Sequence, residues 1–359
     1  MKQPSIKDIA EALGISIGTV DRALHERPGI NPSTRASVLK KAEQLGYRPN
    51  VAARSLKLNR KLRVGVYLPR QIASFFDPLR AGVLAAASAA SGANVELVFR
   101  SFARLDEGDV ELLVADTSQK FDGIIVAPGN PRHIVPVLRK LSRRGLVIVC
   151  VASDAPRSES LATVTVDAPT SGGIAAEIFA RTLLKPGLIA TITGDLNTCD
   201  HAEKLRGFKA NLSLFAPHLR LLPAIESHEL PREAYRQARA LLSRMPYPLG
   251  VYISTANSAP VLRALKESKM LGKVQVIATD LFPGLVPYIE SGDILATLYQ
   301  RPFRQGKTAL EILLCNLVDG VRPKPITRLA PHIILRSNLA LFESHESDSA
   351  NEGGQRGEV

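Results

Sequence analysis

The spacing of apolar residues changes near residue 62 and divides the chain into two parts. Before that point, apolar residues recur at every third or fourth position over short stretches, which predicts helices. After it, apolar runs of strand length alternate with longer amphipathic stretches, which predicts buried strands separated by helices. A small helical region is therefore expected to precede a larger α/β region.

Three short helices are predicted in the first fifty residues. Ser5 and Asp8 have the spacing of a capping box, and Gly14 ends the first helix. Ser16 caps the second helix, and Asn31 followed by a proline opens the third. Two helices joined by a tight, glycine-containing turn predict a helix-turn-helix, whose second helix lays its N-terminal end in the DNA major groove.

The N-terminal end of that second helix carries the candidate base-contacting residues. Arg22 can read guanine through two hydrogen bonds, whereas Ile17 can make apolar contact with a thymine methyl group. The residues predicted for this surface are Ser16, Ile17, Gly18, Thr19 and Arg22. Because any three-helix bundle can imitate the pattern, the motif by itself is only moderately specific.

The larger region predicts two doubly wound parallel-sheet subdomains with helices on both sheet faces. About eleven strands are expected, too many for one ordinary sheet. The subdomains are expected at about 62–162 and 163–294, with residues 295–342 crossing back between them. Sheets of this kind bind ligands at the carboxyl ends of their strands, so a cleft between the subdomains is the expected ligand site. The polar tail 343–359 is expected to be disordered.

The positive charge is concentrated at the N-terminus. The chain carries a net charge of +12, and residues 1–63 alone hold 13 basic and 5 acidic residues. Residues 64–342 hold 32 basic and 24 acidic residues, and the tail holds 1 and 5. A dense basic region on a helix-turn-helix favours DNA as the partner, because phosphate contacts release counterions together.

Several other classes of protein do not fit the sequence. Three widely spaced cysteines without a CxxC motif exclude a disulfide scaffold and a zinc knot. We find no apolar stretch of membrane-spanning length and no signal-peptide segment, so we expect a cytoplasmic protein without a membrane partner. Asp195 and Asp200-His201 lack an accompanying nucleophile motif, and the histidines lack metal-ligand spacing. We therefore expect no enzyme activity, no catalytic residues, no metal and no cofactor.

The N-terminal region resembles the headpiece of the lactose/purine repressor (LacI/GalR) family of bacterial transcription regulators. The segments that carry the resemblance are 6–20 (IKDIAEALGISIGTV), 34–35 (TR), 46–50 (GYRPN) and 53–56 (ARSL). It implies a homodimer on palindromic operator DNA, with a headpiece at 1–49 and a hinge helix and linker at 50–61. Asp21 departs from the family pattern, which mostly has serine there, and its carboxylate would oppose phosphate unless it is paired.

The same resemblance implies further DNA contacts. Thr19, His25, Asn31 and Thr34 would contact phosphates, Asn50 would cap the hinge, and Ala53 would pack two hinges together. Leu56 would wedge open a base step in the minor groove, and the extra contacts on bent DNA would offset the unstacking. The alternative for Leu56 is a linker leucine that packs on the core.

The core resembles the ribose-binding branch of the periplasmic sugar-binding proteins, which implies a sugar-like effector in the cleft and allosteric control of DNA binding. Aromatic rings and bidentate polar groups hold sugars in such clefts. The residues matched for effector binding are Phe75, Phe76, Asn130, Arg206, Asn257, Asp280 and Gln300. For each residue alone, the alternative is an exposed loop position or a helix cap.

The sequence thus indicates a sequence-specific transcription regulator, a repressor, whose operator affinity is controlled by a sugar or sugar derivative. The alternative is a sugar-binding protein or sensor of the solute-binding class without operator-specific repression. The effector, the operator sequence and the choice between inducer and corepressor stay open at this point.

Overall fold

A computed structural model describes residues 5–24, 29–45, 61–90 and 94–342. The expected DNA contacts His25, Asn50, Ala53 and Leu56 lie outside the described residues, as do nearly all of the linker 50–61 and the whole tail 343–359.

The N-terminal region consists of three helices around a small core. They are α1 (Ile6–Leu13), α2 (Ile17–Leu24) and α3 (Pro32–Gln44). The predicted capping box at the start of α1 is present, because the Ser5 amide donates to Asp8 Oδ2 at 2.6 Å and Asp8 N donates to Ser5 Oγ at 3.4 Å. Gly14 ends α1 with φ of 63°, a left-handed conformation that glycine adopts without strain. Ile9, Val20 and Val38 are fully buried between the helices.

A six-stranded sheet forms the N-terminal subdomain. Its strands lie in the order β12-β5-β4-β3-β1-β2, and every neighbouring pair is parallel. The elements of residues 62–166 are β1 (Leu62–Pro69), α4 (Ala73–Ala89), β2 (Val95–Phe102), α5 (Asp109–Ala115), one 3-10 turn (Asp116–Ser118), β3 (Gly123–Val126), α6 (Pro131–Arg143), β4 (Val147–Val151) and β5 (Ala162–Val166).

A second sheet, in the order β13-β11-β10-β9-β6-β7, forms the C-terminal subdomain, and β8 pairs with β6. Its strands are parallel except for the antiparallel pair of β11 and β13. The elements of residues 168–299 are α7 (Ala168–Thr182), β6 (Gly187–Thr193), α8 (Cys199–Phe215), β7 (Leu219–Leu221), β8 (Ile225–Glu226), α9 (Pro231–Leu242), β9 (Gly250–Ile253), α10 (Ser258–Glu267), β10 (Gln275–Thr279), α11 (Val286–Glu290) and β11 (Ala296–Tyr299).

The chain passes between the two subdomains more than once. After β11, helix α12 (Pro302–Asp319) packs against α4, and β12 (Ile326–Leu329) pairs with β5 in the first sheet. The last strand, β13 (His332–Ile334), returns to the second sheet. The expected division at residue 162 is wrong by one strand, because β5 hydrogen-bonds to β4 and β12. Apolar periodicity identifies a buried strand but does not say which sheet it joins.

Glycines let two pairs of helices cross at close range. A Cβ on Gly207 of α8 would lie 2.1 Å from the Pro169 carbonyl oxygen of α7, and one on Gly172 would lie 2.0 Å from the Lys204 carbonyl oxygen. Gly306 of α12 and Gly82 of α4 form the matching contact in the other subdomain. The close crossing of α7 and α8 therefore sets the position of Lys204. In the part of the chain that the structure describes, no helix has the length and apolar character needed to cross a membrane.

Candidate functional site

The carboxyl ends of strands from both sheets meet at a cavity between the subdomains. The N-terminal subdomain contributes a mainly apolar wall of Ile72, Phe75, Phe76, Leu105, Ala127, Ala152 and Ser153. The C-terminal subdomain contributes a mainly polar wall of Thr198, Asp200, His201, Lys204, Glu229, Thr255, Ala256, Asp280 and Gln300. The volume of this cavity, called the inner cavity below, is about 50 Å³.

Lys204 lies at the centre of the polar wall. Its side chain is 1% exposed, and its Nζ donates to Asp200 Oδ2 at 2.7 Å and to Gln300 Oε1 at 2.6 Å. Asp200 is one helical turn earlier on α8, so the helix itself brings this ion pair together. The charge of the buried ammonium is thus compensated within the wall.

Asp280 and Gln300 follow neighbouring strands and contact each other. Gln300 donates to Asp280 through its backbone N at 3.1 Å and its Nε2 at 2.7 Å. Burial raises the pKa of Asp280 to about 6, although Lys204 and Gln300 favour its charged form. The carboxyl group can therefore take up a proton under mildly acidic conditions.

His201 and Glu229 form a second buried pair beside Lys204. His201 Nε2 lies 2.7 Å from Glu229 Oε1, and its Nδ1 lies 3.1 Å from the Ser254 carbonyl oxygen. A carbonyl can only accept, so Nδ1 is a donor, and the ionised Glu229 carboxylate accepts from Nε2, which makes the ring an imidazolium. Burial opposes that charge, but the hydrogen bond and charge of Glu229 outweigh it and raise the pKa of His201. Burial would also raise the pKa of Glu229, whereas His201 and Thr255 hold it below its usual range.

One acceptor in the wall has no partner in the described part of the chain. Asp200 Oδ1 is buried and accepts no hydrogen bond from any of the described residues. The backbone N of Asp200 donates to Ser153 Oγ of the opposite subdomain at 3.4 Å. A buried acceptor without a donor is costly, so this oxygen is suited to a donor supplied by a ligand.

An outer cavity of about 180 Å³ adjoins the first at the mouth of the cleft. The two cavities share Leu105, Thr198, His201 and Glu229. Gln71 Nε2 donates to the Glu229 carbonyl oxygen across this mouth, and Arg104 Nη1 donates to the His228 carbonyl oxygen at 3.5 Å. His228 and Glu229 have φ of 49° and 55°, so two consecutive residues with left-handed backbone hold the contact between the subdomains.

A possible metal-ligand cluster at the outer cavity has a structural explanation. Ligand atoms of Asp195, Glu226 and His228 lie within 4.8 Å of one another. However, Glu226 Oε2 accepts from Leu196 N at 2.8 Å, and Asp195 Oδ1 accepts from Asn197 N at 2.8 Å. The two carboxylates therefore stabilise the loop that follows β6.

Four of the seven residues expected to bind an effector line the inner cavity. These are Phe75, Phe76, Asp280 and Gln300. The rings of Phe75 and Phe76 lie edge to face, with centroids 5.0 Å apart. Asn257 does not line the inner cavity but lies behind Glu229, because its Nδ2 donates to Glu229 Oε2 at 3.0 Å.

Asn130 and Arg206 are placed elsewhere. Asn130 caps α6, because its Oδ1 accepts from Arg132 N at 3.0 Å, and it does not line the cavity. Arg206 is 64% exposed and pairs with Glu203 on the outer surface. Two residues further along a helix lie on nearly the opposite face, so Arg206 points outward when Lys204 points inward. The prediction that Arg206 grips the effector is therefore wrong.

The sequence reasoning missed most of the charged wall. The sequence pattern does not single out Lys204 and Glu229, and it brings up Asp200-His201 only as a catalytic candidate that lacks a nucleophile motif. The helical spacing of Asp200, His201, Lys204 and Phe208 was a usable signal, because these residues share one face of α8. Glu229 gave no such signal, since it lies in the loop between β8 and α9.

The N-terminal end of α2 is exposed and held by local hydrogen bonds. Ser16 Oγ accepts from Thr19 N at 3.1 Å, and Arg22 Nε donates to the Gly18 carbonyl oxygen at 3.1 Å. The Ile17 side chain is 53% exposed, unusually high for isoleucine. Asn31 caps α3 through Ser33 N at 3.0 Å, and Thr34 on its first turn is half-buried. The arrangement leaves the side chains of the α2 end accessible to a groove of DNA.

Family models match both parts of the chain. Residues 5–50 match the bacterial regulatory proteins, lacI family, and residues 64–320 match the periplasmic binding protein domain. The chain is 26% identical over 352 residues to the HTH-type transcriptional repressor PurR of Aliivibrio fischeri, covering 93% of this chain and 98% of that protein. It is 26% identical over 260 residues to catabolite control protein A of Priestia megaterium, covering 71% and 75%.

Solved structures of solute-binding proteins share the fold of the core. A glucose-galactose binding protein from Geobacillus stearothermophilus has a TM-score of 0.72 at 23% identity and covers 78% of this chain and 99% of its own. A solute-binding protein from Burkholderia graminis in complex with D-arabinose has 0.71 at 22%, covering 78% and 97%. The myo-inositol binding protein of Caulobacter has 0.70 at 21%, covering 78% and 95%.

Proposed function

The chain belongs to the periplasmic binding protein domain family and carries the DNA-binding domain of the lacI family of bacterial regulatory proteins, and from this premise we propose that a neutral polyol, a sugar or sugar derivative, controls its operator affinity from the cleft between the subdomains. The chain is a DNA-binding transcriptional repressor with a ligand-binding effector domain. The chemistry of the effector and the way it acts on DNA binding form the proposal.

The observation that carries the proposal is the contrast between the two walls of the inner cavity. A sugar ring has apolar faces and a polar edge, which suits Phe75 and Phe76 on one side and the hydrogen-bonding residues on the other. Asp200 Oδ1 needs a donor, and a hydroxyl group supplies one. The wall therefore favours a ligand with several hydroxyl groups.

The charges of the wall argue for a neutral ligand. Its two cationic groups, Lys204 and His201, are each paired with a carboxylate inside the wall. A phosphate or carboxylate in the inner cavity would compete with Asp200 and Glu229 for them and would be left partly unpaired at high desolvation cost. Hydroxyl groups pay no comparable penalty.

Effector binding is expected to change how the subdomains contact each other. The inner cavity measures about 50 Å³, whereas a cavity known to bind benzene measures about 150 Å³. A six-membered ring must therefore widen the cleft or extend into the outer cavity, and both affect the contacts of Gln71 and Arg104 with residues 228 and 229. An effector that binds one arrangement better than another shifts the population towards it.

The DNA side of the proposal rests on the accessible end of α2 and on the resemblance of the linker. Helix-turn-helix proteins read two half-sites as dimers, so we expect a homodimer on a palindromic operator. Base contacts are assigned to Ile17 and Arg22, and phosphate contacts to Thr19, Asn31 and Thr34. Leu56, outside the described residues, is assigned the minor-groove wedge.

The test combines operator selection with effector titration. DNA bound by the full chain is selected from a random pool, and the affinity for the selected site is measured by fluorescence anisotropy with and without glucose, galactose, D-arabinose or myo-inositol. We expect a polyol to raise the melting temperature of the protein and to change operator affinity at least fivefold. Asp200→Asn should weaken that response, whereas Arg206→Gln should leave it intact.

The outcomes separate the proposal from its alternative. Polyol binding without any selected DNA sequence would favour a sugar-binding sensor that lacks operator-specific repression. A selected operator whose affinity responds to anionic ligands, with no response to any polyol, would contradict the assignment of a neutral effector.

A further inference from the structure

A third cavity lies in the N-terminal subdomain, at the amino end of its sheet and opposite the cleft. Residues from α5, from α6 and from the loops before β3 and β4 surround it, and the ring of Tyr67 closes one side. Its volume is about 190 Å³, which exceeds the volume of the inner cavity in the cleft. Neither the effector site in the cleft nor the DNA-binding surface at α2 includes this cavity.

Apolar and polar side chains share the lining of this cavity, and its carboxylate is compensated. Leu113, Ile124 and Leu141 are buried side chains that line it. Asp116 also lines it, but its Oδ2 accepts from Tyr67 Oη at 3.0 Å and pairs with Arg100 Nε at 2.8 Å. The carboxylate is thus neutralised by its own partners.

The remaining charge of the lining is positive. Arg144 lies at the exposed end of α6, and within the described ranges its guanidinium group has no hydrogen bond or ion pair with another residue. The neighbouring Arg143, in contrast, is held by Glu159 at 2.7 Å. An anionic group on a ligand would find in Arg144 a cation with no competing partner.

Size and charge together indicate the class of ligand. An apolar cavity of about 150 Å³ binds benzene, so about 190 Å³ gives room for a six-membered ring with a small polar substituent. We propose that this cavity binds a small carboxylic acid with an apolar ring, with the ring between Leu113, Ile124 and Leu141 and the carboxylate at Arg144.

The cavity connects to the point where the linker enters the core. Phe121 lines the cavity, and the Arg63 guanidinium group lies 5.4 Å from the centroid of the Phe121 ring. The backbone N of Arg63 donates to Asp122 Oδ2 at 2.8 Å, and its Nη1 donates to the Lys120 carbonyl oxygen at 3.4 Å. Arg63 is the second residue after the linker, so a ligand that displaces Phe121 reaches the connection between core and headpiece. The bound acid therefore acts as a second regulator of operator binding, independent of the cleft.

Isothermal titration of the full chain with benzoate tests the site, and benzamide serves as the uncharged control of the same shape. We expect saturable benzoate binding at least tenfold tighter than benzamide binding. Arg144→Gln should weaken benzoate binding at least tenfold and leave benzamide binding unchanged. Arg132→Gln, an exposed arginine on the same helix that does not line the cavity, should change neither.

Three results would overturn the proposal. They are absence of saturable benzoate binding up to about 10 mM, equal affinity for benzoate and benzamide, and unchanged benzoate affinity in Arg144→Gln. The regulatory role is tested separately with the selected operator. Operator affinity should change at least threefold at saturating benzoate in the wild type and not in Arg144→Gln, and an unchanged operator affinity in the wild type would refute regulation from this site.

Discussion

Replacement of Lys204 by methionine should destabilise the core strongly, because it removes one partner of a buried ion pair. The Lys204 ammonium is almost completely buried and contacts Asp200 and Gln300 at 2.7 and 2.6 Å. Methionine fills a similar volume but leaves the Asp200 carboxylate without its cation, and the other oxygen of that carboxylate already lacks a partner among the residues that the structure describes. The perturbation is therefore electrostatic rather than steric.

The expected cost follows from the burial of the pair. Breaking a buried ion pair by removing one partner costs about 3–5 kcal/mol. The Asp200 side chain is 12% exposed, so water replaces part of the lost contact and we expect about 3 kcal/mol, the lower end of that range. At a slope of about 2.5 kcal/mol per molar urea, the midpoint of unfolding should fall by roughly 1 M.

Urea denaturation of the full chain, followed by circular dichroism, measures this effect. Arg206→Met is the matched control, because Arg206 lies on the same helix but pairs with Glu203 on the surface. The control midpoint should stay at the wild-type value. Adding Asp200→Asn to Lys204→Met removes the orphaned charge and should restore part of the loss. A Lys204→Met midpoint at or above that of the wild type, or an equal fall in Arg206→Met, would refute the reasoning.

Further expectations concern pH dependence, helix packing and DNA binding. The raised pKa of His201 stabilises the folded state below its usual value of 6.5, and this stabilisation is lost as the pH rises through the folded-state value. Stability curves from pH 5 to 9 should therefore show the largest difference between wild type and His201→Gln below pH 6.5 and a shrinking difference at higher pH, and a difference that grows with pH would contradict the assignment. Gly207→Ala should cost about 1–3 kcal/mol in chemical denaturation, because its Cβ would meet the Pro169 carbonyl oxygen at 2.1 Å. Gly173→Ala, whose Cβ would come closest to the amide end of the Asn211 side chain and not to a backbone atom, is its control. Ile17→Ala should weaken binding to the selected operator by about 1 kcal/mol without lowering the melting temperature, since Ile17 is half exposed; a fall in melting temperature would identify it as a core residue.

Local sequence patterns predicted most of the elements of the core correctly. A buried parallel strand is recognisable because its apolar run is bounded by turn residues, and each amphipathic helix shows its own period. The polar residues Asp280 and Gln300 were found because they follow strands directly, where parallel sheets place their ligands. These signals depend only on neighbours along the chain.

Errors arose where a side chain depends on the three-dimensional packing of its element. Arg206 and Lys204 are two residues apart on α8, and the packing of that helix on α7 decides which of them faces the cleft. Asn130 carries a suitable side chain at a suitable strand end, but the start of α6 uses it as a cap. The choice between β5 as the last strand of one sheet or the first of the other depends on hydrogen bonds to β12, more than 150 residues away.

The sequence by itself determined the class of this protein, because a capped helix-turn-helix and an alternating strand–helix pattern are both encoded within short windows. Only the tertiary structure decided the chemistry of its sites. It placed Glu229, from a loop, against His201, and it buried the Lys204–Asp200 pair against Gln300. It also placed Phe121 and Arg144 around one cavity beside the entry of the linker. The physical reason is that burial and charge compensation belong to groups that meet in space, and no period along the chain records which groups those are.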